Sequence, residues 1–303
     1  MKHFLLTIDV EDWFQVENLR PWFPMDTWSS QQVRVEHSTR NILDLLTDIS
    51  SKRGKPVRAT FFILAWIAKR MPSLVREIMS SGHEIASHGY NHRLCLDQSE
   101  KNLRNDLEKS KKLLEDISGH EVCGYRAPSF SISERILDII RSAGHTYDAS
   151  YNSFSLNTRY GRLSPEKYKR KGIALDIGNG FYELPLTNLN VLGKQLPFSG
   201  GGYFRLLPSA IFKIAVREIF KKEDAYHFYI HPWETDPGQP RQNQASMTSK
   251  FKHYINLNKT LPRLESLINS FSDCDFISCK EYLRFVTKKE LHHRLVKSTS
   301  VKT

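Results

Sequence analysis

Leu5-Leu6-Thr7-Ile8-Asp9-Val10-Glu11-Asp12-Trp13 is an apolar, β-prone run that ends in three carboxylates. In an extended strand residues i and i+2 share a face, so Asp9 and Glu11 project together while Val10 points away. Similar runs recur at Val57 to Leu64, His83 to Ala86, Glu121 to Tyr125, His145 to Tyr147, Ile173 to Ile177, Phe181 to Leu184, Tyr226 to Ile230 and Asp275 to Ile277. Amphipathic stretches of helical period alternate with many of them: Val33 to Ile49, Ser73 to Ser81, Gln98 to Ile117, Ser133 to Ala143, Pro208 to Lys221 and Lys259 to Phe271. Such alternation predicts a parallel α/β fold, and the count suits a closed or nearly closed β/α barrel better than an open sheet, with chemistry collecting at the carboxyl ends of the strands. The polar clusters Asp9 to Asp12, His88 to His92, Arg126 to Ser129, Asp148 and His231 to Glu234 each follow one of these runs, which predicts one shared site.

The second cluster, Ser87-His88-Gly89-Tyr90-Asn91-His92, places two imidazoles four residues apart. On one helical turn or in a tight loop both rings reach the same point, which suits a divalent metal. The end of the first strand supplies the third ligand. Two carboxylates crowded together need a cation beside them. The pattern therefore divides the labour: Glu11 ligates and Asp9 takes a proton from the activated water. If the strand ends or bulges after Val10, Asp12 replaces Glu11, and spacing alone leaves both open. Taken singly, each cluster has a plain structural explanation, as a solvated strand end, a pair of surface histidines or a packed corner. Their joint occurrence argues for a site.

Of the 303 residues, 40% are hydrophobic and 25% charged, as in an ordinary globular chain able to bury a large core. The expected organisation is a single domain over residues 1–285 followed by a basic, disordered tail over 286–303. The formal net charge of +11 favours anionic partners, part of it lying in that tail. No nucleic-acid-reading motif is visible, so no nucleic-acid partner is expected, while peripheral membrane contact fits the charge. Cys95, Cys123, Cys274 and Cys279 lack paired spacing, and no apolar run has the length of a membrane span, which leads to the expectation of a cytoplasmic protein. Two stretches read as loops near the site: Tyr151 to Lys171, and Leu196 to Phe204, where a flexible Gly200-Gly201-Gly202 run adjoins Tyr203.

The ordered set Thr7 to Trp13, Ala59 to Leu64, Gly82 to His92, Tyr125 to Phe130 and Ile230 to Glu234 resembles the motifs of the NodB-like polysaccharide deacetylases, from about Lys2 to Asp236. Within that family, Asp9-Val10-Glu11-Asp12-Trp13 and Gly200 to Pro208 most resemble the branch found with exosortase-linked exopolysaccharide systems. The resemblance implies the NodB-like fold, a distorted (β/α) barrel of about seven parallel strands, with one divalent metal, expected to be zinc, and removal of acetyl groups from N-acetylhexosamine units of a polysaccharide or oligosaccharide. Carried over by position, Asp9 is the catalytic base, His88 and His92 the metal histidines, Arg126 the holder of the base, and His231 the catalytic acid. The Ser129 amide faces the oxyanion. Ile230 and Trp233 then form an apolar wall for the acetyl methyl, and Tyr203 contacts the sugar. Asp148, which ends the run His145 to Tyr147, has two readings of equal weight: a place on the same rim, orienting His231 or Arg126, or a capping role. The chain departs from the family where Asp9-Val10-Glu11-Asp12 replaces an adjacent aspartate pair and where Ser129 replaces the usual aromatic. Alternative readings are the same scaffold acting on peptidoglycan or a small cyclic ureide, and a glycan-binding protein without catalysis.

Overall fold

The structure, a computed structural model, describes residues 2–154 and 159–288. Its strands are β1 (His3–Val10), β2 (Ala59–Ile63), β3 (Glu84–Ser87), β4 (Gly124–Tyr125), β5 (Tyr147–Asp148), β6 (Lys169–Lys171), β7 (Ala174–Gly178), β8 (Phe181–Glu183), β9 (Leu189–Val191), β10 (Lys194–Leu196), β11 (Ala225–Ile230) and β12 (Asp275–Phe276). The main sheet runs β11-β1-β2-β3-β4-β5-β8-β7-β6. From β11 to β8 every neighbour is parallel, which gives the seven strands that the family resemblance implies; β7 and β6 then extend the edge antiparallel. β1 is the centre of this array, with β11 along one edge and β2 and β12 sharing the other.

The sheet curls until its ends nearly meet. Beyond β8 the Thr187 amide donates to the His227 carbonyl at 3.4 Å, and Gly200 bridges Tyr229 in parallel, so irregular chain closes the seam that a full strand would fill. The result is the distorted barrel. Strand alternation then sorts the side chains of β1. Phe4, Leu6, Ile8 and Val10 pack outward under the helices, whereas Leu5 joins a separate interior cluster and Thr7 and Asp9 stack above it. A helix over residues 279–288 plugs the opposite end with Cys279, Tyr282, Leu283 and Val286. This plug extends past the boundary expected at 285; residues 289–303 lie outside the described ones.

Six helices fall where the 3.6-residue period places them: α1 (Val35–Arg53), α3 (Pro72–Ser80), α4 (Glu100–Ser118), α5 (Glu134–Ser142), α7 (Ser209–Lys222) and α9 (Leu257–Asn269). Ser99 and Ser133 cap α4 and α5 by accepting from Asn102 and Ile136 amides. Three more are α2 (Ala65–Arg70), α6 (Gly201–Leu206) and α8 (Met247–Tyr254). The stretch expected as a flexible loop around Gly200 is therefore partly helical. Among the described residues no helix is long and apolar enough to cross a membrane.

Candidate active site

Asp9, Glu11, His88, His92, Ser129, Tyr203, His231 and Trp233 line one pocket of about 360 Å³ at the carboxyl end of the barrel. Arg126 lies directly beneath it, fully buried. All but Tyr203, which comes from α6, lie at or follow the end of a strand. Asp9 is the last inward residue of β1, and a turn closed by the Glu11 amide on the Asp9 carbonyl aims Glu11 the same way. His88 follows β3, with its amide on the Ile63 carbonyl, and a turn through Gly89 and a left-handed His92 (φ 52°) brings the second ring back.

Glu11 Oε1 lies 3.0 Å from Nε2 of both His88 and His92. His88 Nδ1 sits 2.7 Å from the Arg126 carbonyl, which only accepts, so the proton of a neutral ring is on Nδ1 and Nε2 turns a lone pair toward the carboxylate. Two electron-rich atoms at that separation repel unless positive charge lies between them. Two imidazoles and one carboxylate, with ligand atoms within 4.8 Å of one another, fit a divalent cation with open positions for water and substrate. Burial alone would raise the Glu11 carboxyl, but His92, His231 and His88 hold it well below the usual carboxylate range.

Asp12 does not join them. Its Oδ2 accepts the Arg34 and Val35 amides at 2.7 and 2.9 Å and its Oδ1 the Trp13 amide at 2.8 Å, so it caps α1 from a distance in sequence. The expectation of Asp12 as an alternative ligand is corrected accordingly: orphan amides at the start of a helix capture this carboxylate.

Arg126 spends its fork on the barrel interior. Nη1 donates to Asp9 Oδ1 at 2.6 Å and Thr7 Oγ1 at 2.8 Å, Nε to the Ala149 carbonyl at 2.8 Å, and Nη2 to His227 Nε2 at 2.7 Å. Burial, then the neighbouring guanidinium, depress His227 well below its ordinary value, so it stays neutral and accepts. Asp148 reaches neither His231 nor Arg126 by hydrogen bond. It holds Ser150, whose hydroxyl accepts the Ala127 amide at 2.7 Å and so steadies the segment after β4. That segment then turns left-handed at Ser129 (φ 50°), whose amide has no acceptor among the described residues.

His231 Nε2 is 3.9 Å from Asp9 Oδ2 and 3.7 Å from Glu11 Oε1, while Nδ1 lies 3.0 Å from Glu234 Oε2. Burial opposes its protonation, but Glu11, Glu234 and Asp9 outweigh burial and push it up to about 9. Trp233 stacks on its ring at 5.4 Å. Ile230 lines no part of the pocket: it pairs in register with Ile8 and packs in the outer core, because alternation along β11 sends Tyr229 and His231 inward instead. Tyr203 projects from α6 and remains partly exposed.

Residues 27–147 match the family model described as polysaccharide deacetylase, and residues 149–284 match a domain of unknown function, DUF3473. The first of these matches makes residues 27–147 similar to the polysaccharide deacetylases. A peptidoglycan-N-acetylglucosamine deacetylase of Bacillus cereus is 31% identical over 35% of this chain and 47% of its own length. A chitooligosaccharide deacetylase of Azorhizobium caulinodans is 32% identical over 28% of this chain and 41% of its own. The chain spans less than half the length of these curated relatives. The crystal structure of a polysaccharide deacetylase described as putative, from Mycobacterium smegmatis, superposes over 95% of this chain and 91% of its own with a TM-score of 0.62 at 18% identity, a likeness of polysaccharide deacetylase fold.

Sequence reasoning left three participants unassigned. His227 shares the face of Tyr229 and His231 at i, i+2 and i+4, a signal the alternation carries. Glu234 follows His231 at i+3 and also had a local signal. Arg205, buried against Glu234, lies in the Gly200 to Pro208 stretch that carries the resemblance, but nothing there signalled its contact with Glu234.

Proposed function

We propose that this polysaccharide deacetylase relative is a cation-dependent hydrolase that removes N-acetyl groups from N-acetylhexosamine units of a polysaccharide or oligosaccharide. The observation that carries the reading is Glu11 Oε1 at 3.0 Å from two imidazole nitrogens, one of which has its lone pair fixed toward the carboxylate. Glu11, His88 and His92 would hold the cation, and the donor set suits zinc. When bound, the cation supplies Lewis acidity to the acetamide carbonyl and to water.

The chain's own groups then divide the proton work. Asp9, oriented by Arg126, takes a proton from the attacking water as its oxygen bonds the acetyl carbon. The Ser129 amide is positioned to donate to the oxyanion, an effect worth about 3 kcal/mol per donor. The C–N bond breaks as His231 gives the amine a proton, without which an amide nitrogen leaves very poorly. Acetate and a hexosamine amine result. Tyr229 and Trp233 wall the acetyl side, and Tyr203 meets the sugar. The resemblance of Asp9 to Trp13 and of Gly200 to Pro208 to an exopolysaccharide branch, with the net charge of +11, supports an anionic exopolysaccharide as substrate.

The test is acetate release from N-acetylated glycans, with and without chelator. Chelator-sensitive release restored by zinc is expected. A chelator-treated, metal-free protein that still releases acetate at the full rate would overturn the cation's role, and no release from any acetylated glycan would overturn the activity.

A further inference from the structure

Glu234 divides its two oxygens between two partners. Oε2 accepts both the His231 backbone amide and the His231 ring Nδ1 at 3.0 Å, and Oε1 accepts Arg205 Nε at 2.7 Å. Arg205 and Glu234 are 2% and 1% exposed, so neither is held by solvent. The rest of the guanidinium is spent on the end of α8 and the residues after it. Nη1 donates to the His253 and Ile255 carbonyls at 2.8 and 3.0 Å, and Nη2 to the Lys252 carbonyl at 2.9 Å. α8 carries Phe251 and Lys252, which line the mouth of the pocket.

We propose that Arg205 is a positioning residue: by holding Glu234, it fixes the His231 ring with Nε2 aimed at the departing amine, and it ties that ring to the pocket wall formed by α8. The inference rests on the acid role of His231 proposed above. It gives residues 149–284, which match a domain of unknown function, a part in the reaction: that segment supplies the arm on which proton donation depends. A planar fork is required. Lysine has neither the geometry nor the donors to serve a carboxylate and three carbonyls at once. With Arg205 gone, Glu234 loses its in-plane anchor, and the His231 ring is free to rotate about its remaining contacts.

The proton in question goes from His231 Nε2 to the amine nitrogen, which keeps the electron pair of the broken C–N bond. An aryl acetate needs no such proton, since its phenolate leaves unaided. Purified wild type, Arg205→Gln, Glu234→Gln and the double variant are compared on an N-acetylglucosamine oligomer and on 4-nitrophenyl acetate, with melting temperatures taken alongside. Each single variant is expected to lower kcat for the amide by about 10- to 100-fold with little change on the ester, and the double variant to lose no more than the worse single. Additive losses, or equal losses on amide and ester, overturn the proposal. A second reading needs no activity: the His231 Nδ1 proton, identified by its absence in His231→Gln, should give a downfield resonance that disappears in Arg205→Gln. If it persists there, Arg205 only braces α8 and the proposal fails. If it disappears while wild type releases no acetate, the positioning stands and the deacetylase reading falls.

Discussion

Arg126 Nη1 lies 2.6 Å from Asp9 Oδ1 inside the barrel, with both side chains buried and only Asp9 reaching the pocket. A buried ion pair is a poor source of stability compared with apolar packing, yet removing one partner strands the other charge at a cost of about 3–5 kcal/mol. Arg126→Gln should therefore lower unfolding free energy by about that amount. Asp9→Asn/Arg126→Gln should recover much of the loss, since no charge is left alone. Urea denaturation of the two proteins decides this. Equal instability would mean that the fork matters through Thr7, Ala149 and His227 rather than through Asp9.

Glu11 and Asp12 are neighbours with different work, and two substitutions separate them. Glu11→Gln should abolish binding of one zinc equivalent and leave the melting temperature of the metal-free protein nearly unchanged or raised. Asp12→Ala should keep the zinc and cost about 1–2 kcal/mol, since the α1 cap and its three accepted amides are lost. Metal content after dialysis, measured beside denaturation, reads both. Loss of zinc in Asp12→Ala alone would reverse the assignment.

Buried neutral histidines should make the fold acid-sensitive well above the carboxylate range. Burial brings His83 down to about 4 and His145 and His253 down to about 3, with Arg58, Lys111 and Arg205 adding to the respective shifts. In the unfolded chain each protonates near its ordinary value of about 6.5. Between that value and the folded one the unfolded state binds more protons, so stability is full above about pH 6.5 and falls as pH drops. Each histidine contributes up to about 1.4 kcal/mol per pH unit in that window. Replacing His145 by Leu should flatten the decline between pH 6 and 4.5 by about that slope, measured by urea midpoints across the range. An unchanged slope would show that His145 protonates in the folded state.

The barrel was legible because strand and helix periods are local properties, and six helices and nine β-rich runs carried them without interruption. The face shared by Asp9 and Glu11 was legible for the same reason. The choice between Glu11 and Asp12 was not, because it depends on where the amides of Arg34 and Val35 end up once α1 packs beside β1. α6 and α8 escaped notice since Gly200 to Gly202 and Gln242 to Ser249 look like loop composition. Their helicity comes from tertiary contact, through Arg205 reaching the end of α8. Tertiary context overrode propensity there.

The glycine run itself separates flexibility from necessity. Gly200 has φ 130°, and a Cβ there would stand 2.0 Å from the Tyr229 carbonyl oxygen, at the seam where the barrel closes. Gly202 sits within α6, and its added Cβ would meet nothing nearer than Arg205 Nη2 at 3.9 Å. Gly200→Ala should cost about 2–4 kcal/mol and displace α6, carrying Tyr203 out of the pocket and raising KM for the glycan. Gly202→Ala should instead stabilise by about 0.4–1 kcal/mol, since it restricts the unfolded chain and suits a helix. A loop that was merely pliable would accept alanine equally at both places. Thermal melts of the two variants that move in the same direction would therefore contradict both the closed seam at Tyr229 and the helix that begins beside it.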